Sequence, residues 1–573
     1  MKFHVLLSLI LTQFISAQNL LTPYEKGNGN QSATYDGMVD FYDKLDKKFE
    51  TLKIITYKED DNGELIRVVI FSADKDFNFQ ENKQKSIILI NNGIHPGEPD
   101  GIDATMMMMR DFATEELQAP KNVIIAAIEC YNISGMLNRG KFSRANQNGP
   151  EEYGFRGNAR NFDLNRDFIK TDSKNAWAFQ EIFQELQPDY FIDNHVSNGA
   201  DYQYVLTYIT TNKERLGNPL AEFLSTKMQP EILKSLDEND ILNVPYVNIF
   251  GNSPDEGFPA FMDSPRYATG YTSLFNVPGT VVETHMLKPY NRRVEATLEY
   301  LLSAIRFLDS NFMTIRELKK ENLKQYKAGK SYVVQWKIDS LNVPEIKFKG
   351  YEAEKKPSEV SGKPRLFYNK NKPFERNVKF YANYVPTKQI AIPNYYVIPQ
   401  SEWKTVQYLK HNNIKLKTLK KDSSIVVETY RISDFKTVKN PYEGHYLHYD
   451  TQAVSSTESV NFRKGDYLVS TDQSGVKYLL ETLEPEAADS FFNWNFYDAI
   501  LGQKEYFSDY VFEDTAAELL KTDKNLKAKF EKKKSEDPQF ANDGNTQLEW
   551  IYKNSPYFEK SFRLYPVYRI NEN

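Results

Sequence analysis

Ser86-Ile87-Ile88-Leu89-Ile90-Asn91-Asn92-Gly93-Ile94-His95-Pro96-Gly97-Glu98 is an apolar run that stops in a polar, glycine-rich turn. Ile87–Ile90 is apolar without alternation, the pattern of a strand covered on both faces, as strands between two layers of helices are. Asn91-Asn92-Gly93 ends the strand, and Gly97 and Pro99 keep the chain turning until a helical spacing sets in over Asp100–Ala113. Strand, turn and helix in that order are one unit of an α/β fold. The turn carries His95 and Glu98 three residues apart. An imidazole and a carboxylate held on such a turn can be aimed at one point, and both are good zinc ligands. The pair alone is a weak signal, and its position after a strand and before a helix entry strengthens it.

The same alternation continues on both sides of this stretch. Strand-like runs fall at Leu65–Phe71, Asn122–Cys130, Tyr190–Asp193, Tyr204–Ile209 and Thr280–Glu283, and helix-like runs at Ser173–Gln187, Asn218–Leu236 and Tyr290–Leu308. The pattern predicts an α/β domain over residues 22–328, with a central mixed sheet flanked by helices. Met106–Met109 reads as helix packing. After Asn311 the character changes. A charged helix at Arg316–Gln325 leads into strand-like pieces at Ser331–Trp336, Glu345–Phe348, Ile390–Ile392, Ser424–Tyr430 and Tyr467–Ser470, punctuated by Pro, Gly and Asn. Residues 329–573 therefore read as an appended, mainly β region with a helical tail that includes Ala516–Leu520.

Composition narrows the function. A chain of 573 residues, 40% hydrophobic and 26% charged, builds sizeable cores, and a net charge of −6 offers no basic face for nucleic acid. The lysine-rich stretch Lys524–Lys534 reads as the solvated face of a helix. Residues 1–17 combine Lys2, an apolar run over Val5–Phe14 and small residues at Ser16 and Ala17, the anatomy of a secretory signal peptide. The expected protein is exported, periplasmic or secreted, with no later apolar run of membrane-spanning length. Its single cysteine, Cys130, excludes an internal disulfide and reads as an inert buried residue at a strand end.

Three more polar signals accompany the first. Asn161-Phe162-Asp163-Leu164-Asn165-Arg166-Asp167 is a dense loop whose asparagine and arginine can together grip a carboxylate, the guanidinium through a two-pronged contact. His195 ends the strand-like Asp189-Tyr190-Phe191-Ile192-Asp193-Asn194, a place where ligands gather in open α/β sheets. Glu283 ends the apolar Gly279-Thr280-Val281-Val282, and a carboxylate at such a buried site needs a partner. His285, two residues on, reads as structural.

This ordered set over about Thr34 to Leu308 resembles the zinc metallocarboxypeptidase family: H-x-x-E, an arginine-bearing segment, D-x-N-R, a lone histidine after a strand, and a strand-borne glutamate. The resemblance implies one zinc per chain, with His95, Glu98 and His195 as ligands and a fourth position left for water. It implies that Asp163 orients the first histidine, that Asn165 and Arg166 hold the substrate's terminal carboxylate, and that Glu283 is the general base acting on zinc-bound water. For the oxyanion-stabilising arginine the best match is Arg144, with Arg139, Arg156 and Arg160 as rivals. For the tyrosine that closes over substrate, Tyr271 and Tyr267 are candidates. The family's Asn-Pro-Asp-Gly turn is Asn132-Ile133-Ser134-Gly135 here, and Val196-Ser197-Asn198-Gly199 replaces the serine–tyrosine continuation of digestive members, which bears on the specificity pocket. The expected substrates are peptides with a free C-terminus. The alternatives are a zinc amidohydrolase acting on cell-wall peptides or acyl-amino acids, and a binding protein that retains zinc with little turnover.

Overall fold

The structure, a computed structural model, describes residues 20–79 and 84–571. The signal-peptide expectation for residues 1–17 lies outside them. Among the described residues no helix is long and apolar enough to cross a membrane.

In chain order the first strands are β1 (Leu52–Glu59), β2 (Leu65–Phe71), β3 (Ser86–Asn91), β4 (Val123–Ile128), β5 (Tyr190–Ser197), β6 (Leu206–Thr210), β7 (Asn243–Pro245), β8 (Phe258–Pro259) and β9 (Gly279–His285). All but β8 form one sheet in the order β1-β2-β4-β3-β5-β9-β6-β7. β3 runs parallel to β4 and β5, and β5 parallel to β9. β2 is antiparallel to β1 and β4, and β6 to β9, so the sheet is mixed. Burial on both faces explains the unbroken apolar runs. Ile88 and Ile90 of β3 enter one core, with the helices Tyr35–Lys48, Asp100–Ala113 and Tyr290–Leu323, while Ile87 and Leu89 enter the other, with Lys174–Leu186. Met106–Met109 and Cys130 are buried, as expected of packing residues.

Helix boundaries follow local chemistry where it is strong. Ser173 accepts a hydrogen bond from the Ala176 amide and starts one helix; Gln187, left-handed at φ 46°, stops it. The expected helix Asn218–Leu236 is instead Leu220–Phe223, a π turn over Leu224–Met228, and Gln229–Glu238. The π turn lies just before Pro230, whose nitrogen has no hydrogen to donate. The two helices expected at Tyr290–Leu308 and Arg316–Gln325 are one, Tyr290–Leu323, kinked at Asn311, whose amide donates back to the Phe307 carbonyl at 2.9 Å.

Beyond it lie β10 (Ser331–Ile338), β11 (Glu345–Pro357), β12 (Pro364–Tyr381), β13 (Tyr384–Ala391), β14 (Tyr395–Ile398), β15 (Lys417–Thr418), β16 (Ser423–Thr437), β17 (His448–Phe462), β18 (Tyr467–Ser470) and β19 (Tyr568–Ile570). β10 pairs with β13, the long hairpin β11–β12 pairs with β8, and the others form a sheet in the order β15-β18-β14-β19-β16-β17. The helices Asp509–Thr522, Lys524–Glu536 and Gly544–Lys553 enclose a small core around Phe512, Phe530 and Ile551, with the lysine run on their solvated side. The boundary expected at 328/329 marks a change of element type, but packing continues across it. One apolar core holds Phe168, Phe179 and Phe191 together with Tyr396, Tyr478 and Trp494. Buried Arg215 pairs with Glu481 across the same boundary at 2.9 Å.

Candidate metal centre

β3, β5 and β9 are parallel neighbours, so their carboxyl ends open at one place, and the polar signals collect there. His95 and Glu98 sit on the turn after β3, closed by the Glu98 amide donating to the His95 carbonyl at 2.8 Å. Gly93 permits that turn: its φ is +68°, and a Cβ would stand 3.0 Å from the Cys130 sulfur. His195 near the end of β5 is in register with Glu283 on β9.

The three expected ligands meet. His95 Nδ1 lies 3.2 Å from His195 Nδ1 and 3.3 Å from Glu98 Oε2, and His195 Nδ1 lies 3.1 Å from the same oxygen. All three residues are buried. Each ring turns its Nε2 to a carboxylate, His95 to Asp163 at 3.0 Å and His195 to Asp193 at 3.0 Å. With each Nε2–H donated to its carboxylate partner, both Nδ1 lone pairs and a carboxylate oxygen converge on one point, an arrangement that needs a cation. Tetrahedral zinc with bonds of roughly 2.0–2.1 Å requires ligand–ligand edges of about 3.3 Å. The residues fit such an ion.

The electrostatics follow from burial and close charges. Burial opposes ionisation of Glu98, but Arg144 and the two histidines hold its carboxyl well below the usual range. Asp163 is held low in the same way, against burial, by His95, Arg156 and Arg166. Glu283 goes the other way. Burial pushes its carboxyl up to about 8, with Glu98 and Asp193 adding to the rise and His195 opposing it.

A cavity of about 650 Å³ opens on the cluster and is lined by His95, Glu98, Arg144, Asn165, Arg166, His195 and Glu283. Arg166 stacks on Tyr267 with its guanidinium 4.6 Å from the ring centre. The four arginines considered for the oxyanion separate. Arg139 is bound to the carbonyls of Ser32, Ala33 and Glu152, and Arg160 to that of Asp172; neither lines the cavity. Arg144 donates to Glu98 Oε1 at 2.7 Å and to Gln147 at 2.6 Å. Arg156 grips Asp163 through two nitrogens at 2.8 and 3.0 Å and brings Nη1 to 3.3 Å from His95 Nδ1.

Tyr271 requires a correction. It is fully buried in the helix Ala268–Ser273, packs against Phe179, Phe183 and Phe275, and donates its hydroxyl to Asn412 at 2.6 Å. It does not reach the cavity; Tyr267 and Tyr246 do. His285 is held by the Ala200 carbonyl at 2.9 Å, away from the cluster. Two residues have roles that the sequence reading did not assign. Asp193 orients His195, and its signal was available, because residues two apart on a strand share a face. Asp263 is a buried acid in the cavity wall, bonded to the Thr269 hydroxyl and pushed up to about 6 by burial, and nothing local in the sequence marks it.

No family model and no curated protein matches this chain. Solved structures do. A metallo-carboxypeptidase from Burkholderia cenocepacia is similar over 49% of this chain and 70% of its own, at 13% identity and a TM-score of 0.37. Carboxypeptidase A from Helicoverpa armigera is similar over 49% and 74%, at 12% identity and 0.37. A metallo-carboxypeptidase from Pseudomonas aeruginosa, solved with (2-guanidinoethylmercapto)succinic acid, is similar over 48% and 69%, at 12% identity and 0.34. What this chain resembles among solved structures, over about half its length, is metallo-carboxypeptidases of bacterial and carboxypeptidase A type.

Proposed function

We propose that the chain is a zinc-dependent carboxypeptidase that hydrolyses the last peptide bond of peptides with a free C-terminus. The observation that carries this reading is the meeting, in one cavity, of a three-ligand cluster, a carboxyl base and an asparagine–arginine pair. Zinc, when held by His95, Glu98 and His195, would supply Lewis-acid polarisation of the scissile carbonyl and an acidified water. Arg166, held over Tyr267, and Asn165 beside it bind the terminal carboxylate and set the register of the chain in the cavity. Glu283 takes a proton from the attacking water as its oxygen adds to the carbonyl carbon. It returns that proton to the nitrogen as the C–N bond breaks. Its burial favours the proton-carrying form of the carboxyl, the form that delivers the proton to the leaving nitrogen. Arg144 and Arg156 both line the cavity and are the candidates to donate to the developing oxyanion, Arg144 being also engaged with Glu98 and Arg156 with Asp163.

Peptides that differ only in having a free or an amidated C-terminus test the reading. An unpaired guanidinium costs several kcal/mol, so the free acid is expected to be cleaved at least roughly a hundredfold faster. Arg166→Ala removes most of that preference and leaves the amide rate unchanged. Product identification by mass spectrometry scores it: equal rates, or release of anything other than the last residue, sink the proposal.

A further inference from the structure

The hairpin β16–β17 belongs to the region after residue 329, yet its tip lies against the loop that carries Asp163. Val438 donates to the Leu447 carbonyl at 3.0 Å, and beyond that bond the chain turns back through Tyr442-Glu443-Gly444-His445. The turn is closed by hydrogen bonds in both directions, Tyr442 N to His445 O at 2.7 Å and His445 N to Tyr442 O at 3.0 Å. Its two central residues are left-handed, Glu443 at φ 48° and Gly444 at φ 82°. That is the geometry of a type I′ turn, whose first central position favours asparagine, aspartate or glycine. A glutamate there holds a strained backbone, and such strain persists where surrounding contacts fix it.

What Glu443 touches explains its presence. Its Oε2 accepts the backbone N–H of Asp163 at 2.8 Å, across 280 residues of sequence. Asp163 is the residue that holds His95 at 3.0 Å, and its Oδ1 also accepts the Asn165 amide at 3.0 Å. Gly444 is required beside it, because a Cβ would stand 3.0 Å from the Phe162 ring and the left-handed backbone disfavours any side chain. His445 closes the other flank, with Nε2 2.7 Å from Asp172, which in turn holds Lys170 at 2.6 Å. The turn therefore grips the Asn161–Asp172 segment at both ends of the stretch that carries Asn165 and Arg166.

We infer that the Tyr442–His445 turn is a latch that positions the Asp163–Arg166 loop, with Glu443 acting through Asp163 on the carboxylate-binding pair. The region after residue 329 thereby positions the substrate site without lining it. The inference rests on the proposed carboxypeptidase reading for its kinetic consequence, and on geometry alone for the latch. Glu443→Gly and Glu443→Gln test it in the full-length, zinc-loaded protein. Glycine relieves the strained turn and deletes the acceptor, whereas glutamine keeps an oxygen for the Asp163 amide.

Glu443→Gly is expected to leave thermal stability equal or higher and to raise KM for free-acid peptides at least about tenfold, with kcat changed much less. Glu443→Gln is expected to restore KM to within about threefold of the parent protein. Exchange of the Asp163 amide hydrogen, followed by NMR or mass spectrometry, is expected to speed up at least about tenfold in Glu443→Gly and not in Glu443→Gln. Unchanged Asp163 exchange in Glu443→Gly overturns the latch, as does a glutamine variant as impaired as the glycine one. A parent protein that cleaves no peptide overturns the functional reading instead, and the exchange measurement still decides the latch.

Discussion

Glu283 touches the cavity but supplies no atom to the ligand triangle, so glutamine in its place should separate metal binding from turnover. Glu283→Gln is expected to retain one zinc per chain by metal analysis and to lose on the order of 10²–10⁴ in kcat. His95→Ala, made alongside, should lose the zinc. Near-parental turnover in Glu283→Gln would end its role as base. At this scale the sequence was most legible where a pattern is short and self-contained. His95 and Glu98 share one turn, and Asp163, Asn165 and Arg166 share one loop, so a few residues carry the whole signal. The choice between Tyr267 and Tyr271 was not local. They stand at the cap and the fourth residue of a short helix, and only its packing against Phe179 and Phe183 decides which ring points inward. Arg144 and Arg156 pose the same difficulty, because both line the cavity and differ only in what they touch.

Strands and helices were legible to the degree that each could be read without its neighbours. β2, β3 and β18 fall on the boundaries expected from their apolar runs. β12 and β17 gave no strand signal, because Asn369–Lys372 is a polar stretch whose last three residues bulge out of the pairing with β11, and Ser455–Glu458 is polar and exposed and becomes strand only through its pairing with β16. One joint between elements makes a prediction about pH. Asp103, inside the helix Asp100–Ala113, accepts the Ala33 amide at 3.2 Å and the hydroxyl of Tyr290 at the start of the long helix. Burial pushes its carboxyl up to about 7 from an ordinary 3.8. Between those values the folded chain keeps a proton that the unfolded chain has released, so this group's contribution to stability falls as pH rises from about 4 to about 7. Asp103→Asn removes that titration. Urea unfolding at pH 5 and pH 8 should show the variant gaining on the parent as pH rises; an equal change in both proteins would discount Asp103.

For the molecule as a whole, the shared apolar core makes the two halves one folding unit. Removing residues 329–573 would uncover the side of the sheet-packing core now covered by Tyr396, Tyr478 and Trp494. At roughly 25 cal/mol per Å² of apolar surface, uncovering these rings draws directly on a net stability of only about 5–15 kcal/mol. A piece ending at residue 328 is therefore expected to aggregate or to melt without a cooperative transition. A soluble piece with a sharp thermal transition would show the core to be separable. The latch adds an order in time. A ribosome working at roughly 5–20 residues per second completes His95, Glu98, His195 and Glu283 on the order of ten seconds or more before it reaches Glu443, and β19, which lies between β14 and β16, later still. Until those late segments arrive, the Asp163–Arg166 loop lacks the contact from Glu443 to the Asp163 amide. Every residue proposed for the chemistry is thus made before the segment that holds its binding loop, so the last-made part of the chain sets when that loop becomes ordered.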